Sequence, residues 1–215
     1  MKGIFMPGRL GSERLPNKLI LPIGDTCLWE IACEKLDSVS NDFEKCVLVS
    51  EEDTELIEIA ERFDSIKIIY RNPDTAKADF PLNYVFGDIV EMESDIVMFL
   101  NPCLLFLSAR SIDTALKRDV NYCESVKVFN SWIYDRHGYS QMTLDYTMMN
   151  TKYLPSMLEA AHAFRIFDKN NFLATGKMSK EKPSLYYITK KEAIDVDTLE
   201  DYEYAKWRYE HENSM

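Results

Sequence analysis

The amino-terminal segment of the chain, residues 3–18, reads GIFMPGRLGSERLPNK. Its first residues, Gly3–Met6, are mostly apolar and predict a buried strand. A loop at Pro7–Asn17 follows this strand and carries two of the chain's seven glycines. In sheets built from alternating strands and helices, ligands bind beyond the carboxyl ends of the strands. The segment therefore indicates a binding loop at the end of the first strand.

Downstream of this loop, strand-like and helix-like segments alternate along the chain. Further strands are predicted at Lys45–Ser50, Ile66–Tyr70, Asp95–Leu100, Ala163–Phe167 and Ser184–Thr189. Helices are predicted at Thr26–Val39, Asp53–Phe63, Leu82–Met92, Ser108–Lys117, Lys169–Ala174 and Thr198–Tyr209. Thr198 and Asp201 at the start of the last helix resemble a capping box. Short strands separated by helices predict an α/β domain with parallel βαβ units in a covered, mostly parallel sheet.

Residues 130–153 interrupt this alternation, because they are rich in aromatic residues but lack helical periodicity. They include Trp132, Tyr134, Tyr139 and Tyr146. Aromatic residues are enriched at protein interfaces. We therefore expect one domain, residues 1–215, in which the excursion at 130–153 mediates a homodimer. The alternative is that these side chains pack back on their own sheet.

The composition excludes several classes of protein. Hydrophobic residues make up 46% and charged residues 28% of the 215 residues, a balance that excludes wholesale disorder. No apolar run reaches the ~18 residues of a membrane span, and the first residues lack the apolar stretch of a secretory signal. The net charge of −11 disfavours nucleic acid and anionic lipid as partners. Five cysteines without a C-x-x-C pair indicate reduced thiols, so we expect a cytoplasmic protein.

The loop after the first strand concentrates positive charge in this acidic protein. Arg9, Arg14 and Lys18 lie close together in sequence, and Gly8 and Gly11 allow backbone N–H groups to approach a ligand closely. Backbone donors and cations together predict a site for an oligophosphate. The spacing matches neither a Walker A loop nor the dinucleotide fingerprint G-x-G-x-x-G. A solvated basic loop is the alternative.

Two carboxylates near the carboxyl terminus form a second candidate site. In an extended chain Asp195 and Asp197 project to the same side, where their negative charges repel each other. A divalent cation relieves this repulsion, and Mg²⁺ is commonly bound by one or two carboxylates together with substrate phosphates. The alternative is that both residues only stabilise the amino terminus of the following helix.

Two stretches at opposite ends of the chain resemble the CMP-sugar-acid synthetases. Residues 8–36 read GRLGSERLPNKLILPIGDTCLWEIACEKL and resemble the pattern PAR-x-GS-x-RLPGKN of that family. Residues 182–207 read KPSLYYITKKEAIDVDTLEDYEYAKW and resemble its ending, E-E-A-IDIDTPEDLELAE. The segments VLVSEEDTELIEIAERF and FLNPCLLFLSARSIDTAL are also similar, so the resemblance covers nearly the whole chain. The branch it resembles most is the acylneuraminate cytidylyltransferases.

The resemblance implies a fold, a reaction and roles for individual residues. The fold would be the three-layer α/β/α Rossmann-like fold of nucleotide-diphospho-sugar transferases. The reaction would be a Mg²⁺-dependent transfer of CMP from CTP to a sugar acid with release of pyrophosphate, which requires positioning and charge neutralisation more than a nucleophile. By this resemblance, Arg9, Gly11, Ser12, Arg14 and Lys18 would hold the CTP triphosphate, Arg71 would bind the nucleotide, Asn101 would face the acceptor, and Asp195 and Asp197 would hold Mg²⁺. The catalytic residues would be Arg9, Lys18, Asp195 and Asp197.

Several positions depart from the family pattern. Glu13 and Leu19 replace a usual Lys and Asn next to the phosphate-binding residues. In the segment implied to face the acceptor, Asn101, Cys103, Leu104 and Leu107 replace Gln, Thr, Ser and Arg, and Pro102 replaces a metal-binding Asp of the ketodeoxyoctonate branch. We therefore expect leucines in the acceptor pocket. N-acetylneuraminate is expected to be a poor acceptor, because its polar groups would be buried without partners.

Three functions are compatible with these patterns. The first is a cytidylyltransferase that activates a nonulosonate-like sugar acid for a surface polysaccharide. The second uses CTP with a different acceptor, such as a phosphonate or a phosphorylated polyol. The third is a non-catalytic nucleotide-binding protein of the same fold.

Overall fold

The computed structural model describes residues 1–76, 80–140, 156–180 and 182–212. Its strands are β1 (Lys2–Pro7), β2 (Pro22–Ile23), β3 (Thr26–Cys27), β4 (Glu44–Val49), β5 (Lys67–Tyr70), β6 (Ile96–Leu100), β7 (Cys123–Phe129), β8 (Met157–Asp168) and β9 (Ser184–Tyr187). Its α-helices are α1 (Leu28–Asp37), α2 (Thr54–Ala60), α3 (Leu82–Val85), α4 (Ala109–Lys117), α5 (Lys169–Thr175) and α6 (Leu199–Glu212).

Seven of these strands form one sheet in the order β5-β4-β1-β6-β8-β7-β9, and β2 and β3 form a separate small hairpin. The pairs β5–β4, β4–β1 and β1–β6 are parallel, as is β7–β9. Strand β8 runs antiparallel to both of its neighbours, β6 and β7. The sheet is thus mostly parallel, which confirms the expected fold class.

The antiparallel strand β8 corrects the expectation of parallel βαβ units throughout the chain. Strand β7, which precedes the aromatic-rich segment, was not predicted either. Strand β8 lies beside β7 and runs in the opposite direction, an arrangement that requires no crossover helix.

Helices cover both faces of the sheet, so the domain has three layers. On one face, α1, α2, α4 and α6 enclose a core that includes the fully buried Trp29 and Ile112. On the other face, α3 and α5 pack with an aromatic cluster formed by Phe5, Phe86, Phe167 and Phe172. The burial of both sheet faces explains why the strands are apolar runs rather than alternating patterns.

The predicted helix at Leu82–Met92 is wrong, because the structure divides it. The α-helix ends at Val85, and a 3₁₀ helix follows at Gly87–Glu91. Gly87 weakens a continuous helix, since glycine in a helix interior is unfavourable relative to alanine.

The predicted capping box is confirmed, since Asp201 Oδ2 accepts hydrogen bonds from Thr198 N and Thr198 Oγ1 at 2.8 and 2.7 Å.

The excursion at 130–153 is described only up to residue 140, so the larger part of the predicted dimer contact lies outside the described residues. In the described part, Tyr134 and Ser140 form an isolated antiparallel bridge. Across the described ranges, the structure contains no helix with the length and hydropathy of a membrane span.

Candidate active site

A cleft of about 600 Å³ lies at the carboxyl ends of β1 and β6. It is lined by Pro7, Gly8, Arg9, Ser12, Glu13, Arg14, Lys18, Leu19, Arg71, Phe80, Leu82, Val85, Phe86, Phe99, Asn101, Pro102 and Cys103. Six of the nine residues implied by the resemblance are therefore on its wall. Asp195 and Asp197 reach the same place through contacts with the lining residues Asn101, Arg14 and Lys18.

The loop that follows β1 is anchored at both ends. At its start, Gly8 N donates to Leu48 O at 2.9 Å, and a Cβ at Gly8 would lie 2.8 Å from the Trp29 ring. At its end, Asn17 has a left-handed backbone with φ 57°, a conformation that asparagine tolerates better than most residues. This turn leads directly into Lys18. In contrast, a Cβ at Gly11 would meet nothing within 4 Å.

Two cations of this loop converge on Asp197. Lys18 Nζ lies 2.9 Å from Asp197 Oδ1, and Arg14 Nη1 lies 3.1 Å from Asp197 Oδ2. The Lys18 side chain is 14% exposed and that of Arg14 is 67% exposed. Burial lowers the pKa of Lys18, but the neighbouring Cys103 thiol and Asp197 outweigh burial and raise it overall. Lys18 is therefore a fixed positive charge in the cleft.

Asp195 is more enclosed than Asp197. Its Oδ2 accepts a hydrogen bond from Asn101 Nδ2 at 3.3 Å, while its buried Oδ1 has no hydrogen-bond partner among the described residues. Burial and repulsion by Asp197 raise the pKa of Asp195, against the opposing effect of Lys18. Oδ1 of this carboxylate can therefore take a proton, a hydrogen-bond donor or a cation as a partner.

A short backbone contact holds the Asp195 segment against the loop after β6. Val196 N donates to Cys103 O at 3.0 Å, and Cys103 N donates to Asn101 Oδ1 at 3.0 Å. The loop after β6 and the segment 195–197 consequently form one hydrogen-bonded unit, which brings together residues that are far apart in sequence.

Arg71 is a buried residue that supports the loop after β1. Its Nη2 donates to Gly8 O at 2.8 Å, and its Nε has no hydrogen-bond partner in the described part of the chain. Burial lowers the pKa of Arg71, while Asp53 acts in the opposite direction. The side chain lies in the cleft wall, so its implied role in nucleotide binding remains a prediction.

The expected leucine-lined acceptor pocket is wrong. Leu104 and Leu107 are 0% and 2% exposed and belong to the core on the α1 side of the sheet. The loop after β6 turns both side chains inward, away from the cleft that Asn101 and Cys103 line. These two substitutions therefore do not place apolar groups against the acceptor, and the argument they provided against N-acetylneuraminate no longer holds.

An apolar wall of the cleft was not anticipated from the sequence. It consists of Leu82, Val85, Phe86 and Phe99, with Phe80 at its edge. The sequence feature that could have indicated it is the apolar segment FPLNYVF at residues 80–86. That segment was assigned to a helix, and a helical pattern does not reveal which side chains face a cleft.

Comparisons with known proteins were made on the sequence and on the fold. A sequence model of a family described as cytidylyltransferase matches residues 4–171. A search of curated proteins returned no match.

Several solved structures share the fold at low sequence identity. The structure of CMP:2-keto-3-deoxy-manno-octonic acid synthetase complexed with CTP is similar with a TM-score of 0.69 at 12% identity, over 98% of this chain and 99% of that one. The 4-diphosphocytidyl-2C-methyl-D-erythritol synthase from Anaerococcus prevotii gives a TM-score of 0.63 at 15% identity, over 97% and 95%. A cytidylyltransferase from Leptospira borgpetersenii gives 0.59 at 18% identity, over 95% and 84%. At these identities the similarity shows the fold.

Proposed function

Because the chain belongs to the cytidylyltransferase family, we propose that it transfers CMP from CTP to a small anionic acceptor, a nonulosonate-like sugar acid, and releases pyrophosphate. The product would be an activated sugar acid for surface polysaccharide synthesis. One observation carries the proposal: Lys18 and Arg14 of the loop after β1 meet Asp197 in the same cleft as the partly unpaired Asp195. Phosphate-binding cations and candidate metal-binding carboxylates thus share one site.

The reaction joins the acceptor to the α-phosphorus of CTP. The acceptor's hydroxyl oxygen attacks that phosphorus, the bond to the oxygen that bridges to the β-phosphorus breaks, and the hydroxyl proton passes to solvent. Lys18 and Arg14 can exchange the Asp197 carboxylate for phosphate oxygens and so neutralise charge on the triphosphate. Arg71 holds Gly8 and thereby the start of the loop.

Asp195 and Asp197 are the residues that would hold Mg²⁺. Both supply the hard oxygen ligands that this ion prefers, and the buried Oδ1 of Asp195 has no other partner among the described residues. No group of three or more metal-binding side chains occurs in the described part of the chain, which is in keeping with an ion that takes its remaining ligands from phosphates and water. When bound, Mg²⁺ would neutralise charge that develops on the phosphates.

The second candidate keeps CTP and changes the acceptor to a phosphonate or a phosphorylated polyol. The observation that favours it is the apolar wall of Leu82, Val85 and Phe86, which suits an acceptor with fewer hydroxyl groups than a sugar acid, because these side chains donate and accept no hydrogen bonds. A sugar acid would need polar partners at the acceptor end. Asn101 and Cys103 are the lining residues proposed to provide them.

Pyrophosphate release from CTP and Mg²⁺ with a panel of acceptors tests the proposal. The panel contains 2-keto-3-deoxy-manno-octonate, N-acetylneuraminate, a phosphorylated polyol and a phosphonate, and a reaction without acceptor measures CTP hydrolysis. Release with a sugar acid supports the first candidate, and release with a phosphorylated polyol or phosphonate alone supports the second. If calorimetry detects CTP binding but no acceptor causes release, the protein is a non-catalytic nucleotide-binding protein.

We also propose a homodimer in which the excursion at 130–153 forms part of the contact. Val128 and Leu158 are paired across β7 and β8 and are exposed, as is Tyr134 beyond the end of β7. Contiguous exposed apolar side chains are typical of protein-interaction sites. Light scattering should give twice the chain mass at micromolar concentration, and a monomer mass would contradict the dimer.

We propose a cytoplasmic location without a nucleic-acid partner. All five cysteines are buried and free, as expected of a protein in a reducing compartment. The net charge of −11 opposes binding to nucleic-acid phosphates.

A further inference from the structure

Ser125 is a fully buried polar residue of strand β7. The register between β7 and β8 shifts at this point, because Glu124 pairs with Arg165 but Val126 pairs with Ala160. One residue of β7, Ser125, therefore lies opposite the four residues 161–164 of β8. The structure thus contains a bulge in β8 that faces a single serine.

The Ser125 hydroxyl satisfies the backbone of this bulge. Its Oγ accepts hydrogen bonds from Ala163 N and Phe164 N at 3.1 and 3.0 Å, and it donates to Phe164 O at 3.0 Å. His162, at the turn of the bulge, has φ 53°, a strained conformation for a non-glycine residue. Strained residues persist where the surrounding structure holds them and cluster at functional sites.

The bulge is connected to the candidate active site by further hydrogen bonds. Ala163, whose N–H is held by Ser125, accepts a hydrogen bond from Asn101 N at 2.9 Å through its own carbonyl oxygen. The side chain of Asn101 then donates to Asp195 Oδ2 at 3.3 Å. The sequence of contacts Ser125–Ala163–Asn101–Asp195 therefore runs without a gap from the buried hydroxyl to the carboxylate in the cleft.

We propose that Ser125 is a positioning residue for the acceptor side of the active site, where its hydroxyl fixes the β8 bulge and, through Ala163 and Asn101, the orientation of the Asp195 carboxylate. The expected effect on turnover rests on the proposed function. The expected effect on the orientation of Asn101 and Asp195 does not. If Ser125 only held β7 against β8, its removal would leave Asn101 and Asp195 unaffected. The two cases differ in what the Ser125→Ala variant does to Asn101 and to turnover.

Ser94→Ala is the control for removal of a buried hydroxyl, and Ser125→Cys is the control for the three hydrogen bonds that Ser125 Oγ makes and Ser94 Oγ does not. Ser94 is also fully buried, but it precedes β6, whereas Asn101 follows β6, so the two lie at opposite ends of that strand. Both variants remove one buried hydroxyl, and only Ser125→Ala removes one that is linked to the cleft. Ser125→Cys is the conservative variant, because its thiol is a weak donor and a weak acceptor of similar shape.

The first measurement is the side-chain amide resonance of Asn101 in a ¹⁵N-labelled protein, assigned by its disappearance in Asn101→Asp. Ser125→Ala should shift this resonance, Ser125→Cys should shift it less, and Ser94→Ala should leave it unchanged. This measurement requires no turnover, so it decides the structural part even if no acceptor is found. An unchanged Asn101 resonance in Ser125→Ala overturns the inference.

The second measurement is steady-state pyrophosphate release with whichever acceptor of the panel is active. Ser125→Ala should lower kcat about tenfold while the KM for CTP changes less than about twofold, because loss of a residue that orients a ligand-binding group typically reduces activity ~10–100-fold. Ser125→Cys should restore part of the loss. If Ser125→Ala does not fold, the comparison of Ser125→Cys with Ser94→Ala carries the test. A normal kcat in Ser125→Ala also overturns the inference, even if the Asn101 resonance shifts. If the wild type itself is inactive with every acceptor, the proposed function is refuted, and the resonance measurement alone decides the inference.

Discussion

The two sides of the cleft are built in different ways. On the proposed phosphate side, Arg14 is 67% exposed and pairs with Asp197, whose side chain is 32% exposed. On the proposed acceptor side, Asn101 and Asp195 are partly enclosed and are linked by hydrogen bonds to the buried Ser125. We therefore expect Arg14 to rearrange around a ligand at less expense in free energy than Asn101 and Asp195.

This difference suits the roles proposed for the two sides. Cations on long side chains can follow the oxygens of a triphosphate, because their attraction depends weakly on direction and strongly on distance. A carboxylate that binds a metal or orients an acceptor must be placed to within a fraction of an ångström. We therefore expect substitutions on the acceptor side to affect turnover more than substitutions of exposed cations affect binding.

The largest effect is expected for Asp195→Asn, which preserves shape and removes the negative charge. Mg²⁺-dependent pyrophosphate release should fall at least ~100-fold, because even loss of the groups that support a metal ligand typically reduces activity ~10–100-fold. Asp113→Asn is the control, since Asp113 pairs with Lys117 on α4, does not line the cleft and should leave turnover unchanged. Unchanged Mg²⁺-dependent activity in Asp195→Asn would remove Asp195 from the metal site.

The next effect concerns Lys18 and Arg14, which contact the same carboxylate but differ in exposure. Lys18→Ala should weaken CTP binding ~10–100-fold, since hydrogen bonds to charged groups contribute ~1.5–3 kcal/mol. Arg14→Ala should weaken it no more than about fivefold, because an exposed ion pair contributes ~0.2–1 kcal/mol. Isothermal titration with CTP compares the two variants, and equal losses would show that exposure does not distinguish these cations.

Gly8 and Gly11 offer a sharper comparison within the phosphate-side loop. Gly8→Ala should destabilise the protein by ~1–3 kcal/mol, as overpacking does, because its Cβ would lie 2.8 Å from the Trp29 ring. Gly11→Ala should leave the free energy of unfolding unchanged, because its Cβ would meet no protein atom within 4 Å.

A ligand that lies against the loop would nevertheless be displaced by the methyl group at Gly11. CTP affinity should therefore fall in Gly11→Ala although stability does not, which urea unfolding and calorimetry measure separately. If CTP binds Gly11→Ala as tightly as the wild type, the loop does not approach the triphosphate at that residue.

The smallest effect is a pH dependence of stability that originates on the acceptor side. Lys35 of α1 donates to Leu104 O and Leu105 O at 2.7 and 3.1 Å, and burial lowers its pKa to about 7. In the unfolded chain Lys35 keeps its proton up to about pH 10. Between pH 7 and about 8.5 Lys35 thus binds more protons in the unfolded state than in the folded state, and its own contribution makes the free energy of unfolding rise with pH by at most ~1.4 kcal/mol per unit.

This contribution is measured as the difference in slope between the wild type and Lys35→Met. The difference is needed because burial also raises the pKa of all five cysteines, and their ionisation in the unfolded chain lowers the free energy of unfolding as the pH rises. The slope should be less positive in Lys35→Met than in the wild type and unchanged in Lys117→Met, which removes an exposed lysine on α4. Urea unfolding at pH 7.0, 7.7 and 8.4 measures it, and equal slopes in the wild type and Lys35→Met would show that Lys35 does not contribute.

The candidate site could be predicted from the sequence where its chemistry is local. The basic loop with its glycines and the pair Asp195 and Asp197 were recognised from residue type and spacing alone, and the structure brings Lys18 and Arg14 to Asp197. The capping box of α6 was recognised for the same reason, since its two residues are three positions apart. Their roles toward CTP and Mg²⁺ remain to be measured.

The acceptor side could not be predicted in the same way. The resemblance placed Leu104 and Leu107 in the acceptor pocket, whereas the loop after β6 turns both into the core. In a loop, side-chain direction has no fixed period along the chain, so residues next to a cleft-lining residue can face either way. The apolar wall at residues 80–86 was missed because a helical pattern shows which residues share a face but not that this face lines a cleft.

By itself, the sequence determined the alternation of strands and helices, the positively charged loop after β1 and the carboxylates before α6, because each depends on residues close together along the chain. Only the tertiary structure decided that β8 runs antiparallel, that Ser125 faces a bulge, and that Asn101 links this bulge to Asp195. These contacts join residues separated by 38 positions between Ser125 and Ala163 and by 94 between Asn101 and Asp195. They form because packing of the whole sheet brings the segments together and because buried N–H groups require acceptors.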